Sequence, residues 1–407
     1  MHLTYMTMTQ NGEIKTIGGF RPEALLRVLE ETNVSAFVDQ WGPSEVQQVY
    51  DSDTGMQGVL VIDNTTLGPG CGGIRISLNT TPREAFQRAR MMTLSAALVQ
   101  VDLGGAAAGI RADPAVADKG RLIRAFAKSI SAHVPDQYIA CPDQSTGQTE
   151  MKIFAHEVGD LLGAVGKPID MGGVPHELGV VGFGIGLAVE SCLNGASPSR
   201  TVPPSLNGIR IAIQGFDHTG AALVKYLEHK GARIIAVSDD WGAVHDPNGL
   251  DVERLLKHSS APGEKQSLAG IKGIPRSAPE AIAGMDCDLL VLTGESNLVN
   301  ELNVSNVKAR CVAEGTHFPL SPLTDQALTR QGVLVVPDIL TLSGGVVGAF
   351  NEYKRNSCET SFAQIEYKVR DAAGAVIQRV AEQGLTHRRA AIELAKERLL
   401  EALEVMG

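Results

Sequence analysis

Apolar residues recur at helical spacing over residues 83–99, with Arg88 and Arg90 on the other faces, and that pattern predicts an amphipathic helix. It runs into residues 102–110, where Gly104, Gly105 and Gly109 are interleaved with alanines; this reads as a glycine loop whose backbone can approach a ligand closely. Residues 57–64 are rich in β-branched side chains and read as a strand, closed by a turn at 65–70. A second helix with one apolar face covers 119–133. Ahead of these, 22–32 reads as a short amphipathic helix and 1–19 as irregular.

Further along, 180–193 is a long apolar helix, and 197–208 is a Pro-, Ser- and Asn-rich connection. A strand (209–215), a helix (219–229) and a second strand (234–238) then form a βαβ unit with a dinucleotide-binding layout. Strands are expected at 287–292, 309–314 and 332–340, and helices at 361–384 and 386–406. The fold class is therefore α/β with two domains. Residues 1–196 form an N-terminal α/β domain, 197–204 a linker and 205–346 a Rossmann-like domain. The 347–407 helices return to the first domain.

A chain of 407 residues has ample core for two domains. Its net charge of −10 argues against nucleic acid or an anionic membrane as partner. The six cysteines are scattered without a C-x-x-C pair, which reads as buried free thiols, and no metal site is expected. The absence of a leader or a membrane-length apolar run points to a cytoplasmic protein.

The glycine fingerprint of the βαβ unit is Gly215-Phe216-Asp217-His218-Thr219-Gly220. Its middle glycine, where backbone meets a pyrophosphate, is Asp217. A carboxylate there brings bulk and negative charge to a helix N-terminus that would otherwise hold an anion. It is also a good N-terminal helix residue in its own right. Asp239 or Asp240, after the second strand, would serve ribose hydroxyls and favour NAD over NADP, if a dinucleotide binds.

Three motifs in order carry a resemblance: Gly72-Gly73-Ile74-Arg75, Met92-Thr93-Leu94-Ser95, and Gly104-Gly105-Ala106-Ala107-Ala108-Gly109. Together they resemble the Glu/Leu/Phe/Val amino acid dehydrogenases, which oxidatively deaminate an L-amino acid with a nicotinamide cofactor. The resemblance implies a carboxylate-binding lysine at position 95 and a catalytic lysine at position 107; here they are Ser95 and Ala107. Alanine supplies neither charge nor donor, whereas a lysine is a compact cation with a tunable pKa. Asp143 matches the family's catalytic aspartate, with capping of residues 144–146 as the competing structural role. Without the lysine, Asp143 is expected to lack its electrostatic partner.

The resemblance further implies a substrate pocket of Cys71, Gly72, Gly73, Ser95, Ala107, Val346 and Ala349, and a cofactor site of Gly215, Asp217, Gly220, Asp239, Asp240 and Asn297. Cys71 leans toward the leucine branch. Val181, Leu342 and Ala349 replace polar family residues, Glu352 is retained, and His317 reads as drift. Three functions follow. The first is a catalytically impaired family member acting as a regulatory or structural subunit, or as an amino-acid-binding paralogue, in a homo-oligomer (hexamer or octamer) or with a catalytic paralogue. The second is an active NAD-dependent amino acid or amine dehydrogenase. The third is a small-molecule sensor.

Overall fold

The computed structural model describes residues 6–8, 14–16, 38–195, 204–259, 267–294 and 297–406. The expected helix at 22–32 and nearly all of the linker lie outside these residues. Near the N-terminus, β1 (Met6–Met8) and β2 (Ile14–Thr16) pair antiparallel, where irregular chain was expected.

The first sheet contains β3 (Glu45–Asp51), β4 (Met56–Asn64), β5 (Gly70–Ile76), β6 (Gly104–Ile110) and β7 (Tyr138–Pro142), in the order β3-β4-β6-β5-β7. Strands β5, β6 and β7 are parallel, so the residues at their C-terminal ends share one rim. Residues 104–110 are thus a fully buried strand, not a loop. Its small residues serve packing. Helix α1 (Pro82–Leu98) lies so close to β6 that a Cβ on Gly105 would come within 2.1 Å of Thr93 Oγ1 and 2.3 Å of the Ala89 carbonyl oxygen. Gly105→Ala is expected to cost about 1–3 kcal/mol by overpacking, read as a lower urea midpoint.

Helix α1 starts on an N-cap, since Thr81 Oγ1 accepts from the Glu84 N–H and Pro82 fills the first turn. Helices α2 (Lys119–Ser129) and α3 (Gln148–Val158) cover the opposite face, burying Ile123, Phe126, Met151 and Phe154 against the sheet.

The second sheet comprises β8 (Arg210–Gln214), β9 (Arg233–Ser238), β10 (Ala243–His245), β11 (Arg276–Ser277), β12 (Leu289–Leu292), β13 (Cys311–Glu314) and β14 (Leu334–Val336). Its order is β11-β10-β9-β8-β12-β13-β14, parallel from β9 to β14. The order reverses between β8 and β12, which puts the crevice for a ligand at their C-terminal ends.

Helix α4 (Val180–Asn194) connects the two sheets. Small residues let it cross its neighbours closely. A Cβ on Gly182 would meet the Thr219 carbonyl oxygen at 2.4 Å in α5 (His218–His229). One on Gly184 would meet Gly344 Cα at 2.7 Å in the C-terminal part of the chain. There, α6 (Val252–Ser259) and α7 (Pro322–Arg330) flank the second sheet, and α8 (Asp338–Thr341) and α9 (Ser343–Tyr353) lead away from it. Helix α10 (Cys358–Gln383) packs on α4, and α11 (His387–Met406) packs on α1. Lys368 of α10 donates to the carbonyls of Val99 (3.2 Å) and Gln100 (2.9 Å), closing the C-terminus of α1. The C-terminal helices thus return to the first sheet.

Candidate active site and dinucleotide cleft

In the first sheet Gly73 of β5 pairs with Cys141 of β7, and Asp143 follows that strand; Cys71 and Gly72 precede Gly73 in the N-terminal half of β5, and Ala107 lies mid-strand in β6. Glycine is required at 73: a Cβ on it would lie 2.5 Å from Asp143 Cβ. Cys71 and Cys141 are buried free thiols in contact, and that contact, with burial, pushes the Cys141 thiol up. Cys192, Cys287 and Cys311 are buried and free as well, and Cys358 is half-buried.

Asp143 is neither isolated nor a helix cap, because α3 starts later with Gly147 as its cap. Two arginines hold it. Arg75 Nη2 donates to Oδ1 at 3.1 Å, and Arg88 Nη1 donates to Oδ2 at 2.8 Å. Burial opposes its charge, yet the two guanidiniums outweigh this and keep its carboxyl far below the usual carboxylate range. Arg88 was placed on a polar face from sequence; it is in fact buried. Its guanidinium crosses the sheet rim to the carbonyl of Gly73 (3.3 Å) and that of Ala108 (2.9 Å), and Glu84 accepts from its Nε at 2.7 Å. Glu84 also accepts from Arg75 at 2.9 Å. Two cations and two carboxylates therefore neutralise one another. The spacing of Glu84 and Arg88, one helical turn apart, was the readable signal for half of this cluster.

Two histidines that sequence reasoning passed over or set aside also face Asp143. His317 follows β13 and His176 precedes α4; both interact electrostatically with Asp143, and His176 also with Asp217. Burial lowers both imidazole pKa values, so the neutral form is favoured. The loop carrying His176 is anchored by Glu352 of α9, which accepts from the N–H groups of Gly166 (2.7 Å) and Val174 (2.6 Å) and pairs with Lys167 Nζ at 2.6 Å.

The replaced lysine positions are both filled. Ser95 is fully buried and donates to the Ile339 carbonyl at 3.0 Å, tying α1 to α8. Ala107 packs with Val59 and Val61 under Ala85 and Ala89 of α1. Val346 is buried, and Ala349, Leu342 and Val181 are half-buried against the same core.

In the second sheet, Gly215 has φ 94°, and a Cβ on Gly220 would meet the Gly215 carbonyl oxygen at 2.2 Å, so both glycines serve the tight strand-to-helix turn. Asp217 is the N-cap of α5: its Oδ1 accepts from the N–H groups of Thr219 (2.9 Å) and Gly220 (3.1 Å). The donors that would meet a pyrophosphate are therefore taken by a carboxylate of the chain itself, and this turn does not suit a dinucleotide phosphate. Asp239 is likewise occupied, accepting from the N–H groups of Trp241 and Gly242 (2.9 Å each) and of Leu268 (2.6 Å). Asp240 is exposed. Asn297 has φ 77° and donates its N–H to the Pro319 carbonyl at 3.2 Å.

Residues 172–407 match the Glutamate/Leucine/Phenylalanine/Valine dehydrogenase model, and 43–159 match the Glu/Leu/Phe/Val dehydrogenase dimerisation domain. The chain belongs to the Glu/Leu/Phe/Val dehydrogenase family. It is 30% identical over 364 residues to the NADP-specific glutamate dehydrogenase of Saccharolobus shibatae, covering 84% of each chain. It is 32% identical over 304 residues to the NAD-specific glutamate dehydrogenase of Staphylococcus aureus, covering 72% of this chain and 71% of that one. Among solved structures, the hetero-hexameric glutamate dehydrogenase of Thermus thermophilus in its leucine-bound form superposes with a TM-score of 0.79 at 28% identity, over 96% of this chain and 98% of that one. Among the described residues, none are grouped to hold a metal ion, and no helix is long and apolar enough to cross a membrane.

Proposed function

We propose that this chain is a catalytically impaired amino acid dehydrogenase subunit that assembles with a catalytic paralogue and regulates or scaffolds it. The observation that carries the reading is the Asp217 carboxylate capping α5 on the N–H groups a pyrophosphate needs. Ala107 and the buried Ser95 support it, because neither presents a cation to an amino acid carboxylate. The hetero-hexameric assembly of the Thermus thermophilus neighbour supports a mixed oligomer, and its bound leucine supports an amino acid as effector. The division into a 1–196 unit completed by 347–407, and a 205–346 unit, is part of the same proposal. If a dinucleotide binds this chain at all, it is NAD, through the carboxylates after β9, of which Asp240 is exposed; Asp217 opposes that binding.

Titration calorimetry with NADH up to millimolar concentration tests the reading. No heat of binding, together with co-purification of a dehydrogenase whose activity changes with this subunit, is the expected result. A lone homo-oligomer that binds NADH and turns over an amino acid overturns it. The second reading, an active NAD-dependent amino acid or amine dehydrogenase, is favoured by one observation: His176 and His317 interact electrostatically with Asp143, and burial favours the neutral form of both. Turnover that is lost in His317→Ala but kept in His229→Ala, a control at an exposed histidine, would establish it. A thermal shift with a single amino acid and no effect on any paralogue would instead identify a sensor.

A further inference from the structure

In this sheet rim a guanidinium does from a helix what no side chain on β6 can do. We infer that Arg88 is a positioning residue that clamps Asp143 against the rim, and that the alanine at 107 is what gives its guanidinium room to do so. Arg88 is the more buried of the two arginines, its side chain 3% exposed, against 19% for Arg75. Its five donor hydrogens are distributed over four acceptors: Glu84, Gly73, Ala108 and Asp143. An exposed ion pair does not organise itself in this way; a planar fork matched to a carbonyl of each of two strands and to two carboxylates does.

The room comes from the face of β6 that carries Ala107. Ala106 and Ala108 belong to the core under α2 and α3, whereas Ala107 points to α1, between Val61 and the Ala85–Ala89 side of that helix. Arg88 leaves α1 between the same two alanines' turns and crosses the rim beside it. A long side chain at 107 and the Arg88 guanidinium would compete for one space and for one carboxylate. The exchange has a functional consequence that goes beyond the impaired-subunit reading. A lysine can lose its proton, but a guanidinium remains charged throughout the working pH range. Asp143 is then a held carboxylate rather than a proton carrier, and this stands whether or not a dinucleotide binds.

A double-mutant cycle on the full-length protein tests this by stability, independently of turnover. Arg88→Met is expected to lower the urea midpoint, and Ala107→Lys in the native background is expected to lower it too, through crowding of two cations. The double variant Arg88→Met/Ala107→Lys is expected to recover at least half of the Arg88→Met loss, because the ammonium takes over Asp143. Arg88→Lys should fall between, since a point charge reaches fewer of the acceptors. A packing role for Arg88 predicts no such rescue. A charge role also has an acid signature. Asp143's depressed carboxyl contributes stability that is present above its unfolded pKa and is lost as the pH falls through its folded pKa. That acid-side slope should shrink in Arg88→Met and return in the double variant, with Arg75, Glu84, His176 and His317 as the other charged or titratable groups that interact within this cluster. Additive losses in the cycle, including a double variant that does not fold, overturn the inference and leave the proposed function standing on Asp217.

Discussion

Arg388→Ala is expected to destabilise the protein by about 3–5 kcal/mol near neutral pH, as for removal of one partner from a buried ionic cluster. Arg388, near the start of α11, pairs with Glu314 at the end of β13, with Asp325 of α7 at 2.8 Å and with Asp338 of α8 at 2.8 Å. Without it, three carboxyl groups face one another with no cation among them. One oxygen of Glu314 is already buried without a partner. Burial, and then Asp338, push the Glu314 carboxyl up to about 8. The native state therefore keeps a proton that the unfolded chain releases near 4.5, and stability falls as the pH rises from 4.5 to about 8. Glu314→Gln should flatten that fall. Arg388→Ala should steepen and extend it, since the guanidinium is what opposes the upward shift. Urea denaturation of the three proteins at pH 5.5, 7 and 8.5 separates these outcomes; parallel pH profiles for the native chain and Arg388→Ala would count against the account.

This cluster and the one at Asp143 show where sequence reasoning reached its limit. The βαβ unit was legible because Ile209, Ile211 and Ile213 stand in a short apolar run before a glycine turn, and the cap at Asp217 was legible because residue type and position coincide. Strand β6 was misread because Gly-Gly-Ala-Ala-Ala-Gly has low strand propensity; its conformation is imposed by pairing on both sides and by α1 lying on its backbone. Strand β5 and the run at 138–142 give weak signals for the same reason, with three glycines in one and a terminal proline in the other. The helical pattern places Arg88 off the apolar face and gives no sign that it is buried. Its burial depends on Asp143, which is distant in sequence and adjacent only after the sheet forms. His176 and His317 carry no local pattern at all, and only the meeting of the two sheets places them at one carboxylate.

Asp217→Gly is expected to strengthen NADH binding by about 10- to 100-fold over the native chain, at 1.4 kcal/mol per tenfold. The carboxylate acts in two ways. It satisfies the Thr219 and Gly220 N–H groups, so a pyrophosphate would have to displace it to reach them. It also repels the incoming charge by roughly 1–4 kcal/mol at about 4 Å, depending on the effective dielectric, and Asp217 is exposed, which favours the lower end. Helix α5 should survive the change, since glycine replaces a good N-cap at a cost of only a few tenths of a kcal/mol. Asp217→Asn separates the two effects: asparagine keeps the cap and removes the charge, so its gain should be smaller than that of glycine and should fade more completely as salt is raised. Calorimetric titration of the three proteins at low and high ionic strength makes the comparison. Equal affinities across the series would mean that the phosphate site tolerates Asp217, and the impaired-subunit reading would lose the observation that carries it. A gain confined to glycine and asparagine would instead mean that the cofactor crevice of the fold is intact and is closed by one side chain.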